Sequence, residues 1–202
     1  MISQFCPTLS KDLLKREFLN TAVAFAVLAV LGFAAGMLFP DAAQQLLDRF
    51  AAQLEQLGLS SNVPQSQMMA TLFFNNVTAS LLAMLYGLIP FVPLSALALG
   101  TNALLLGAFA ALYQHHGIGL GVYFIGILPH GIFELPALVL FCAAGLYLCS
   151  RVTARVRGDK EVRILRTLSE VSTLFLYVIL PLLAAAALVE TYVTPRLLSL
   201  VV

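Results

Sequence analysis

His130 and Glu134 are the residues whose types and spacing most clearly invite chemistry. They lie in Pro129-His130-Gly131-Ile132-Phe133-Glu134-Leu135-Pro136, inside a long apolar run. Four residues apart, they share one helical face. A carboxylate at a bilayer centre costs about 2.5–3.5 kcal/mol on insertion scales, so it calls for a partner or a use. Two other apolar segments carry further polar groups, Asn75 and Asn76 in Phe73-Phe74-Asn75-Asn76, and Thr101 and Asn102 in Leu99-Gly100-Thr101-Asn102. Buried polar groups must find hydrogen bonds. Asn75, Asn76, Asn102, His130 and Glu134 are therefore expected to turn inward and form one buried polar or ligand site.

Three chemistries fit such a cluster. It could be a hydrogen-bond network that orients a bundle. It could be an ion or small-solute site at a broken helix, whose freed N–H and C=O groups bind ions. It could support metal-dependent or acid–base catalysis. Zinc hydrolysis finds no H-E-x-x-H motif and no third ligand, so no metal is expected. His115-His116 reads as a turn, and adjacent histidines there are either weak metal ligands or simply solvated. The sequence has no Gly-rich phosphate loop and no nucleophile elbow, so neither a cofactor nor a catalytic residue is assigned. No basic-aromatic surface points to a nucleic-acid partner.

The elements that must hold these residues follow from composition. Of 202 residues, 60% are hydrophobic and 10% charged, with a mean hydropathy of +0.94. Soluble domains carry about 25% charged residues. The class is all-α, a polytopic membrane helical bundle forming a single integral membrane domain over residues 1–202. A barrel would need short alternating strands, and none is evident. Cys6, Cys142 and Cys149 do not form a disulfide framework.

Span one is predicted over 19–39, ending at Pro40, with the small-xxx-small pattern Gly32 to Gly36 that suits close helix packing or a dimer seam. Lys11, Lys15 and Arg16 precede it like a signal-peptide n-region, but the apolar run exceeds an h-region, so a retained span is expected. Residues 41–58 read as an external amphipathic helix, capped by Asp41 with Gln44 and stopped by Gly58. A polar loop over 60–67 follows. Span two is predicted over 69–89 and span three over 93–113, joined by the uncharged turn Pro90-Phe91-Val92-Pro93. The apolar stretch 118–150 has 33 residues. As one helix it would be about 50 Å long, against a hydrocarbon core of about 30 Å. A helix break at Pro129–Gly131, supported by Pro136, is therefore expected, with a short or re-entrant piece 118–128 and a span 132–150. The last span is predicted over 172–191, kinked at Pro181, with Glu190 near the outer boundary.

Nine of the eleven Lys and Arg residues precede span one or fall in the loop 151–170. With five spans both regions lie on one side, cytoplasmic by the positive-inside rule. The expected location is the cell (plasma or inner) membrane, with the N-terminus cytoplasmic and the C-terminus external. The basic loop reads as a topology determinant touching anionic lipid rather than as a specific protein-docking site.

These residues resemble the stage II sporulation protein M family of bacterial and archaeal integral membrane proteins. The likeness rests on Phe74-Asn75-Asn76, on Gly100-Thr101-Asn102 with Gly107, and on Pro129-His130-Gly131 with Glu134, Pro136 and Ala137, followed by Gly145. This chain has Asn102-Ala103 where the family often has Asn-Gly. The resemblance implies a non-enzymatic scaffold or anchor in cell-envelope remodelling such as sporulation engulfment. Its partners would be the lipid bilayer, envelope-remodelling membrane proteins or peptidoglycan hydrolases, and further copies of itself in a homo-oligomer. The alternative is an ion or small-solute transporter or channel using His130 and Glu134.

Overall fold

The computed structural model describes residues 16–56 and 64–201. The expected stop at Gly58, the loop residues 60–63, Cys6, Lys11 and Lys15 fall outside them. The described residues form helices joined by short turns, and no strand occurs among them. Helix α1 is Phe18–Leu38 and α2 is Pro40–Gln56. Helix α3 is Gln65–Leu85, extended by a 3-10 turn over Tyr86–Leu88. Helix α4 is Ser95–His115 and α5 is Leu120–Val156. Helix α6, Ile164–Leu174, passes through a π turn, Phe175–Ile179, into α7, Leu180–Tyr192, and the short α8 is Thr194–Leu198. Five of these segments are long and apolar enough to cross a membrane: α1, α3 with its 3-10 turn, α4, α5, and α6 through α7.

The expected break at Pro129–Gly131 is not there. Helix α5 runs unbroken for 37 residues with Pro129 and Pro136 inside it, so 118–128 is not a separate element. Each proline removes one N–H from the backbone ladder and crowds the carbonyl four residues back. Membrane helices tolerate this because neighbours and small local adjustments satisfy the freed carbonyls. Gly131 is buried, and an added Cβ would meet the Ile127 side chain at 3.3 Å, so the glycine serves packing within the helix. The length argument is resolved differently. A helix of this length spans about 55 Å, and the excess puts Arg151 and Arg155 in its last turns, beyond the buried segment 137–145. The basic segment is correspondingly shorter as a loop: residues 151–156 finish α5, residues 164–170 open α6, and only 157–163 lie between helices. The last span likewise begins near Ile164 rather than 172. Its distortion, the π turn, falls just before Pro181, whose ring would crowd the Tyr177 carbonyl in a regular helix.

Helix α5 is the hub. Residues 137–145 are all buried and form much of the main core with Leu174, Ile179 and Leu183. Helices α1 and α4 pack closely along their length. A Cβ on Gly32 would run into the Leu104 backbone, and one on Gly107 into the Ala29 carbonyl. The Gly32–Gly36 pattern therefore serves packing within the chain. At one end of the bundle α3, α4 and α5 form a tight junction. Ser95 Oγ donates to the Ala83 carbonyl at 2.6 Å, and Gly145 lies against both residues. The 90–93 turn and the 157–163 loop are at this end, tied by a hydrogen bond from Phe91 N–H to Thr153 Oγ1 at 2.9 Å. The opposite end carries the His115-His116 turn. There α2 packs on α4 through Ala43, Ala108 and Leu112, with Phe50 against Phe109, so α2 lies on its own protein.

Candidate functional site

Three spans converge on His130. One turn apart on α5, His130 Nε2 and Glu134 Oε2 are 3.9 Å apart. His130 Nδ1 contacts Glu190 Oε2 of α7. Asn76 of α3 donates from Nδ2 to Glu134 Oε1 at 3.3 Å. Thr194, at the start of α8, places Oγ1 3.4 Å from His130 Nδ1 and also lies 3.4 Å from the Val189 carbonyl. The imidazole presents one nitrogen to each carboxylate, the arrangement in which a doubly protonated ring bridges two anions. Side-chain exposure is 16% at His130, 35% at Glu134 and 31% at Glu190, and Glu190 Oε2, the oxygen at His130, is itself buried.

Of the five residues expected here, the structure brings together Asn76, His130 and Glu134. Asn75 is half-buried and makes no side-chain hydrogen bond among the described residues. Asn102 is exposed and donates to the Ala98 carbonyl of its own helix at 2.8 Å. Thr101 is also exposed and bonds back to Leu97. The expectation that Asn102 turns inward is thus corrected. A serine, threonine or asparagine in a helix can satisfy itself on the preceding turn without a partner helix. Asn102 nevertheless has a defined bearing. It stands seven residues from Ser95, as Asn76 does from Ala83, and two turns along a helix return nearly to the same face. Both asparagines therefore sit on the faces that meet at the Ser95–Ala83 contact, beyond the point where α3 and α4 touch there.

Glu190, expected only near the outer boundary, belongs to the site, and Thr194 escaped the sequence reading. The signal for Glu190 was present, a lone carboxylate in the last apolar run, subject to the same bilayer argument as Glu134. A second polar group sits toward the junction end. Glu170 is 4% exposed. It accepts from Tyr147 OH at 3.3 Å and from Arg166 Nε at 3.2 Å. Its signal was spacing: Glu170 shares the buried face of α6 with Thr167, Val171 and Leu174. Between Glu134 and Tyr147 the helix carries only Leu, Pro, Ala, Val, Phe, Cys and Gly.

No cluster of three or more His, Cys, Asp or Glu side chains suited to a metal occurs among the described residues. A five-span helical bundle with a polar cluster bridging three spans defines a multi-pass integral membrane protein. The chain matches the family described as Stage II sporulation protein M over residues 21–195 and belongs to it. No curated protein and no solved structure matches the chain.

Proposed function

We propose that this protein is a non-enzymatic scaffold in the plasma membrane that anchors cell-envelope remodelling machinery, as in sporulation engulfment. Peptidoglycan-remodelling membrane proteins are its natural clients. The family supplies the process, and one structural observation favours a scaffold over a conduit. From Ala137 to Gly145 every residue of the central helix is buried in apolar packing, between the His130 cluster and the Glu170 cluster. A solute path along α5 would have to cross that seal. In this reading the His130–Glu134–Glu190 set locks α3, α5 and α7 in register. Meanwhile α1 and α3, of which few residues are buried, offer broad faces to lipid and partners.

A second reading, an ion- or solute-handling site, draws on the partial exposure of Glu134 and Glu190 at membrane depth. Glu134→Gln separates the two, because it keeps hydrogen-bonding capacity and removes the charge. In cells lacking the native copy, the folded Gln variant should restore peptidoglycan turnover, followed by fluorescent D-amino-acid labelling, as the wild type does. A folded variant that fails, together with proton or sodium flux through wild-type liposomes that the variant abolishes, would overturn the scaffold in favour of transport.

A further inference from the structure

At the junction end, where the 90–93 turn meets α5, a groove of about 620 Å³ opens on the surface. Its walls are graded. Phe91, Pro93 and Leu146 supply an apolar stretch, and Ser150, Thr153 and Arg157 follow along the same side of α5. From Leu146 to Arg157 is eleven residues, about 16 Å of helix rise. The face thus passes from hydrocarbon character to a cationic rim over roughly half the thickness of a bilayer core.

The groove is a built feature. Phe91 has a φ of +66°, a left-handed conformation that bulky residues rarely adopt. Thr153 holds it there by accepting the Phe91 N–H, and Cys149 Sγ lies 3.3 Å from the Ile89 carbonyl. The Phe91 ring lies under the Arg157 guanidinium, with 5.5 Å from Cζ to the ring centroid. The Arg157 guanidinium makes no hydrogen bond or ion pair among the described residues, so its N–H groups are available. Asp159 also lines the groove, but its side chain accepts the Glu161 N–H at 3.0 Å within the loop. Residues 151–166 carry six Lys or Arg against two acidic residues.

We propose that this groove is a binding site for one anionic phospholipid, its phosphate at Arg157 and an acyl chain along Leu146, Pro93 and Phe91. A free phosphate would use the cation but leave the apolar wall empty. A zwitterionic lipid would fill the wall but gain less from the surrounding positive charge. An arginine offers an anionic phosphate a forked set of donors, which its stacking on an aromatic ring leaves free.

The full chain in mild detergent is titrated with phosphatidylglycerol, phosphatidylcholine or inorganic phosphate, and retained lipid is read by native mass spectrometry. The wild type should hold phosphatidylglycerol in preference to phosphatidylcholine, and inorganic phosphate should not displace it. Arg157→Ala should weaken phosphatidylglycerol binding about fivefold. Arg163→Ala, a basic residue of the same loop outside the groove, should change it less than twofold, about the spread of a surface substitution. Ser150→Leu fills the groove without changing charge and should weaken binding of either lipid, which carries the test if Arg157→Ala fails to fold. Equal losses in Arg157→Ala and Arg163→Ala would overturn the site in favour of diffuse attraction. Equal retention of both lipids by the wild type, or displacement by inorganic phosphate, would overturn it too, as would unchanged binding in Ser150→Leu.

Discussion

At the scale of single residues, His130 decides the site. Its ring is held between Glu134 and Glu190, so each carboxylate is half of one arrangement. Removing one member of a buried polar pair costs about 1–3 kcal/mol through the group left behind. Glu190→Ala should therefore lower the thermal midpoint in detergent, and by an amount comparable to Glu134→Ala. Asn102→Ala, whose side chain bonds only to its own helix, should shift stability by no more than about 0.5 kcal/mol. If Glu190→Ala melts like Asn102→Ala, the His130–Glu190 contact does not hold the bundle. Legibility here followed distance along the chain. His130 and Glu134 announce each other because four residues make one helical turn. Glu190 is sixty residues from His130, and nothing in the local pattern of either segment says that α7 will lie beside α5. Near the end of an apolar run, such an acid looks like a boundary residue.

Among the elements, close packing of α1 on α4 gives the sharpest test. An alanine at Gly107 would drive its methyl into the backbone of Ala29. Backbone cannot swing aside as a side chain can, so the helices must separate, and overpacking of this kind costs about 1–3 kcal/mol. Gly121 is the control: it is helical, and nothing lies within 4 Å of the Cβ it lacks. Gly107→Ala should lower the thermal midpoint, while Gly121→Ala should leave it level or raise it by up to about 1 kcal/mol of helix propensity. Equal effects would mean that α1 and α4 do not meet through these glycines. Helix positions were readable because hydropathy and length bound them, and the five spans fall where the apolar runs do. The fate of Pro129 and Pro136 was not readable. Whether a proline ends a helix or is carried inside it depends on neighbours that satisfy the freed carbonyls. In α5 the helix continues from the prolines straight into the buried segment 137–145, so ending it there would sacrifice the main core.

For the whole molecule, the open question of sidedness meets a geometric constraint. Helix α1 runs parallel to α4, since Gly32 packs at Leu104 and Gly36 at Ala108 and Ala111. Helix α4 starts at the junction end, where the 90–93 turn is tied to Thr153. The start of α1, the 90–93 turn and the 157–163 loop therefore share one end, and the His115-His116 turn takes the other. Charge agrees with packing, because nine of the eleven basic residues lie before α1, at its first turn or in 151–166. Positive-inside bias then predicts that this end is the cytoplasmic one. The test is single-cysteine labelling in intact cells and in inverted vesicles, with the native cysteines replaced by serine. Gln114→Cys and Lys160→Cys both sit at exposed positions on opposite ends. An impermeant maleimide should reach position 114 from outside in intact cells and position 160 only in inverted vesicles. The reverse pattern would keep the five-span bundle and invert it. Labelling of both positions from the same side would break the five-span arrangement itself, because α5 joins these two positions in a single crossing.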